Sequence, residues 1–187
     1  MQHVALLAFD KEKCKPFFDR LTQLFYEHHH SEEQNAEEYE RLLYMVKKPY
    51  DNNMLDLIDE WMGLDKREWR EETTREVKLA LYAIKYPDTL LLDSFTENPR
   101  SDLKRLSSYL HFTHHTYAIW DEDTRKGLEK IGIKIPETKA ADPFIYGAYV
   151  SAIELLKDVA PFTCFLEHDV QRQRLFQSAL AAYGREE

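Results

Sequence analysis

Residues 103–133, LKRLSSYLHFTHHTYAIWDEDTRKGLEKIGI, read as helix, loop and helix. An apolar helix is expected from Leu103 to about Phe112, followed by a loop rich in histidine and aromatic residues. Asp121 stands where the N-cap of a helix from Asp123 to Ile131 belongs, and Gly132 ends that helix. Such an arrangement can hold one carboxylate, that of the Trp120-Asp121 pair, beside a pocket.

The same punctuation extends in both directions. Upstream, a helix is predicted from Lys11 to about His29, with Pro16 in an early turn and Phe17, Leu21, Leu24 and Phe25 on one face. A second begins near Ala36, carries Tyr39, Leu42, Leu43 and Val46, and is ended by Pro49. The run MLDLIDEWM is a short helix closed by Gly63. Asp65 and Glu68 resemble a capping box opening a long helix with Val77, Leu81 and Ile84 facing inward as far as Tyr86-Pro87. A shorter helix over Leu90 to Phe95 precedes a turn at 97–101. Downstream, Asp142-Pro143 combines a capping aspartate with a proline at the first helical position and starts a helix running to about Val159. The last helix is expected from Glu167 to Tyr183, with Val170, Leu175, Phe176 and Leu180 inward and Gly184 closing it. Hinges are expected at His28 to Glu33 or in the loop from Ile135 to Ala141. With only five glycines in the chain, a fold built on many tight turns is disfavoured, and the expected class is all-α.

Composition narrows the function classes. The 187 residues are 43% hydrophobic and 32% charged, a globular balance with enough length for a core. A net charge of −9 disfavours nonspecific attraction to a polyanion. The two cysteines, Cys14 and Cys164, form no CxxC pair, so neither a zinc site nor a disulfide framework is indicated and a reducing cytoplasm is the expected home. MQHVALLAFDKEK has too short an apolar run for a signal peptide, and no segment approaches the length of a membrane span.

The runs SSYLHFTHHTYAIWDEDTRKGLEKIG, YGAYVSAIELL and SALAAYG together resemble the helix-hairpin-helix base-excision DNA glycosylase superfamily, over roughly Asp56 to Gly184. In that family a loop ends in an aspartate that follows an apolar residue and precedes a valine by three positions. Asp121 matches it here, with Thr124 in the valine place. The resemblance implies a two-lobed helical domain over 51–187, preceded by an acidic N-terminal helical segment, 1–50. It also implies a carboxylate beside an extruded nucleotide, where it would offset positive charge developing on the sugar. Taken as an N-cap alone, Asp121 would contribute about 1 kcal/mol to its helix. Bifunctional members carry a lysine nucleophile at the position of Ser108, and serine cannot form their Schiff base, so the expected activity is monofunctional hydrolysis. The family's hairpin Gly-x-Gly corresponds to Lys104-Arg105-Leu106, where Lys104 and Arg105 could meet phosphate by side chain in place of backbone.

Around the catalytic candidate Asp121, the binding candidates are therefore Lys104, Arg105, Ser108, Tyr117 and Trp120. Tyr117 and Trp120 would stack on a base, whereas Phe112 and Tyr149 are expected in the core. His111, His114 and His115, with His168, have a spacing that could gather imidazoles around a metal or a proton. No metalloenzyme motif accompanies them, and the plainer expectation is a polar loop that needs no metal or other cofactor. The histidines at 28–30 are read as a helix C-terminal region. The expected partner is DNA. The alternative is a catalytically inactive all-α regulatory module whose acidic stretch from Glu32 to Glu60 docks onto a protein.

Overall fold

The computed structural model describes residues 10–31, 33–46, 53–83, 102–114, 117–161 and 172–186. Within them the chain is all-α and multi-helical: α1 (Lys11–Ser31), α2 (Glu33–Val46), α3 (Met54–Trp61), α4 (Glu71–Ala83), α5 (Leu103–Thr113), α6 (Glu122–Lys130), α7 (Pro143–Val159) and α8 (Arg172–Arg185). No helix among the described residues is long and apolar enough to cross a membrane.

Local chemistry sets most of the boundaries. At the start of α7, Asp142 Oδ1 accepts from the backbone N–H groups of Phe144 and Ile145, both at 2.9 Å, while Pro143 opens the helix without needing a partner for a missing N–H. α3 and α6 end alike. Gly63 and Gly132, at φ 61° and 93°, let the following residue fold back, Leu64 N–H to the Asp59 carbonyl and Ile133 N–H to the Leu128 carbonyl, each at 2.9 Å. Such a closure satisfies carbonyls that the helix end would otherwise leave orphaned.

Two expectations are corrected. α4 begins at Glu71, not near Asp65, because residues 64–70 are held outside any helix: Arg67 is drawn onto Asp59 and Asp56 of α3, and the Trp69 ring meets Tyr109 edge-on at 6.2 Å. Lys104-Arg105-Leu106, at the position of the family's hairpin, lies in the first turns of α5, as the helix expected from Leu103 has it. Gly184 does not end α8 but lies inside it against α6. A Cβ on Gly184 would stand 1.9 Å from the Asp123 carbonyl oxygen, and one on Gly127 would stand 2.2 Å from that of Leu180. The two helices thus touch backbone to backbone, which fixes α6 and its N-terminus against α8.

The helices pack as two groups sharing one continuous core. α1, α6 and α7 surround α8, whereas α2, α3 and α4 gather about α5. The two described helices of the acidic segment 1–50 belong to different groups: Phe17 of α1 meets Phe176 and Tyr183 of α8, at 6.3 and 5.6 Å, and Tyr39 of α2 meets Phe112 of α5 at 5.4 Å. The loop proposed as a hinge, Ile135 to Ala141, is fastened instead. Leu103 N–H donates to the Lys139 carbonyl, Arg125 donates to that of Ile135, and Asp102 bridges Ala140. The other hinge includes Glu32, which lies outside the described residues, as do Ile84, the expected helix from Leu90 to Phe95 and the first part of the expected last helix.

Candidate functional site

Between α5 and α6 the chain crosses the interior as the segment 117–121, outside any helix and buried from Tyr117 to Trp120. A buried backbone without its own secondary structure must find hydrogen-bond partners elsewhere, and here side chains supply them. The Tyr117 carbonyl receives His111 Nδ1, that of Ala118 the Tyr146 hydroxyl at 2.7 Å, and that of Ile119 the Tyr149 hydroxyl and Gln177 Nε2, both at 2.9 Å. Ile119 N–H donates to Gln177 Oε1 at 3.1 Å, and Trp120 N–H to Ser107 Oγ at 2.8 Å. Burial raises the ionisation of the Tyr146 and Tyr149 hydroxyls well above the usual tyrosine range, so both remain protonated donors. Asp121 emerges from this cradle with its orientation already set.

Its Oδ2 accepts from Thr124 N–H at 2.8 Å and from the Thr124 hydroxyl at 2.9 Å. Asp121 is therefore the N-cap of α6, held through Oδ2. It borders an open recess of about 180 Å³ between the two helix groups. From the α5 side come Trp61, Met62 and Lys104; from the other come Ile119, Trp120, Thr124 and a row of α8 residues that includes Arg174, Gln177 and Arg185. Three cationic side chains thus share the recess with one carboxylate, in a chain whose net charge is −9. Oppositely signed local potential of this kind concentrates anions at one place on an otherwise repelling surface.

Of the candidates read from sequence, Lys104, Trp120 and Asp121 meet at the recess, and three others do not. Arg105 is buried: its guanidinium donates to the Asp65 carbonyl, while Nε lies 3.3 Å from Asp59 Oδ1 as an ion pair without hydrogen-bond alignment. Phosphate cannot reach it there. Ser108 is fully enclosed, donating to the Arg105 carbonyl at 2.7 Å. Tyr117 is packed into the core with its ring stacked on Tyr146 at 6.3 Å. Trp120, also largely covered, packs on Tyr149 at 4.9 Å while still bordering the recess.

The histidines are committed elsewhere. His111 uses Nδ1 on the Tyr117 carbonyl and Nε2 on the Tyr39 hydroxyl at 2.8 Å, and His114 Nε2 lies 2.8 Å from the Leu81 carbonyl. His115 and His168 lie outside the described residues. Among the described residues no three histidine, cysteine or acidic side chains come together as metal ligands would.

A buried charge cluster invisible in the sequence joins α3, α5 and the segment between α3 and α4. Asp59 is paired with Arg67 and Arg105 and accepts the Tyr109 hydroxyl at 2.7 Å. Desolvation raises the Asp59 carboxyl above its ordinary range, against the opposing pull of the Tyr109 hydrogen bond and the two guanidinium groups. The cluster ties α3 and α5 together and so places Trp61 and Lys104 on one wall.

Sequence reading missed Trp61, Arg174, Gln177 and Arg185. A usable signal was present on α8: Arg174, Gln177, Ser178 and Arg185 recur at helical spacing among residues otherwise apolar, a polar stripe with no reason to face a core. No family model matches this chain, nor does any curated protein or solved structure.

Proposed function

We propose that this protein is a divergent DNA-glycosylase-like protein that takes a single base of DNA into the recess at Asp121. The observation carrying this reading is the composition of the recess, where two tryptophans, three cationic side chains and one carboxylate converge. Each answers a requirement of an extruded nucleotide. A base leaving its stack needs a flat apolar surface, its phosphates need cations, and a sugar acquiring positive charge needs an anion close by. DNA repair in a reducing cytoplasm is the setting that follows.

With Ser108 enclosed, the chemistry supported is monofunctional. The bond from sugar C1′ to the base nitrogen breaks with its electron pair leaving on the base. Water adds to C1′, and the proton it sheds balances the departing base. Asp121 stabilises the cationic sugar between these events; its fixed orientation avoids reorganisation as charge develops.

A panel of oligonucleotides, each carrying one modified base, tests this directly by single-turnover base release. The wild-type protein is expected to release at least one base, and Asp121→Asn to slow that release by roughly 10²–10³-fold, the usual loss for one electrostatic contact to a transition state, while binding persists. Full activity in Asp121→Asn would sink the catalytic assignment. Base-independent binding without release would leave recognition alone.

A further inference from the structure

Arg174 stands where α8 meets two aromatic side chains from earlier helices. Its guanidinium carbon lies 5.3 Å from the centre of the Tyr39 ring and 5.6 Å from that of the Trp61 ring. Those rings are 5.6 Å from each other, and the first also touches Phe112 at 5.4 Å. The Tyr39 hydroxyl is held on His111 Nε2, so the platform beneath Arg174 is itself anchored at its far end. Burial pushes the Tyr39 hydroxyl up to about 12, the nearby Arg174 charge opposing the rise.

A guanidinium on aromatic faces is attracted by the ring quadrupoles, and its planar fork of N–H donors stays pre-oriented. That fork matches two phosphate oxygens at once, which a lysine ammonium does not. Lys104 and Arg185 border the same recess. A recess bordered by Lys104, Arg174 and Arg185 suits the negative charge of a phosphate ester.

We infer that Arg174 is the phosphate-binding residue of the recess, its guanidinium plane set by Tyr39 and Trp61, and that the group it grips is the phosphate ester of a nucleotide whose base lies against Trp120. The inference rests on the nucleic-acid reading above and adds a residue that reading does not require. It also makes the N-terminal segment part of the site through Tyr39.

The test is equilibrium binding of thymidine 5′-monophosphate and of a fluorescent oligothymidylate, measured between about 20 and 200 mM salt. The wild-type protein should bind at least one of them. Arg174→Gln should weaken that binding about tenfold or more, the scale of a charge-assisted hydrogen bond, and flatten the dependence of log K on log salt by about 0.7 for a single strand. Arg174→Lys keeps the charge and loses the fork, so it should fall between; it carries the test if the glutamine variant fails to fold. Tyr39→Leu should weaken binding, whereas Tyr39→Phe, which keeps the ring, should not.

Preference for the strand or for the free nucleotide identifies the source of the phosphate; either supports the inference. Unchanged affinity and salt slope in Arg174→Gln, or full wild-type affinity in Arg174→Lys, would overturn the assignment of Arg174 while leaving the nucleic-acid reading intact. Binding of neither ligand by the wild-type protein would overturn both.

Discussion

The side-chain amide of Gln177 pairs with both backbone groups of Ile119, donating from Nε2 to the carbonyl at 2.9 Å and accepting the N–H on Oε1 at 3.1 Å. One side chain of α8 thus supplies both backbone partners that Ile119, outside any helix, would otherwise lack, and it does so two residues before Asp121. The Tyr149 hydroxyl also serves the carbonyl, so the N–H depends more heavily on Gln177. Gln177→Leu should therefore destabilise the fold by roughly 1–3 kcal/mol, the cost of one orphaned buried donor. Urea unfolding measures this. A change within experimental error would mean that the segment is not held as described.

Gly127→Ala and Gly184→Ala should each destabilise the protein, reversing the usual sign. In a helix interior alanine is ordinarily favoured over glycine by about 0.5–1 kcal/mol. Here the added methyl groups would stand 2.2 and 1.9 Å from backbone carbonyl oxygens of the facing helix, which no rotamer change relieves. Thermal melts of both variants should show a lower midpoint than wild type, and a higher one would disprove the backbone contact between α6 and α8.

Asp59→Asn should be destabilising by roughly 3–5 kcal/mol, because it leaves the buried guanidinium groups of Arg67 and Arg105 without their shared carboxylate. Asp59→Asn with Arg67→Met should recover part of that loss. A double-mutant cycle reads the coupling, and strict additivity would contradict a shared cluster.

Acid should weaken the tie between α1 and the chain's last described turn. Arg20 donates to Glu186 at 2.9 Å and holds its carboxyl below the ordinary carboxylate range. A depressed folded value means that the stabilisation is present above the unfolded value, near 4.3, and disappears as pH falls through the folded one. The difference in melting temperature between wild type and Glu186→Gln should accordingly be positive at pH 7 and shrink as pH is lowered below about 4. A difference independent of pH would contradict an ionic origin.

Features legible in the sequence are those decided within a few residues. The caps at Asp121 and Asp142-Pro143 and the stop at Gly132 follow from local backbone satisfaction, and the starts of α6 and α7 lie where those residues place them. The start of α4 does not, because Arg67 answers to Asp59 on another helix and pulls its own segment out of helical conformation. Arg105 was misread for the same reason: its spacing suits a solvated face, but its charge is matched by a buried aspartate. The site was legible at Asp121, Trp120 and Lys104, which lie on the helix-loop-helix itself. Arg174 and Gln177 show in the sequence only as members of a polar stripe on α8, and Trp61 reaches the recess through packing between helix groups, which periodicity within one helix does not reveal.

The most direct measurement is the intrinsic tryptophan fluorescence of the wild-type protein and of Trp120→Leu during titration with a single-stranded oligonucleotide at low salt. Stacking of a base in the recess should quench the wild-type signal saturably, in step with binding followed by anisotropy. The quench should be largely lost in Trp120→Leu, and binding should weaken by roughly 1–3 kcal/mol, the worth of one base–aromatic stack. An unchanged wild-type spectrum with no anisotropy rise would contradict a nucleotide at Asp121 and leave the recess to a different ligand.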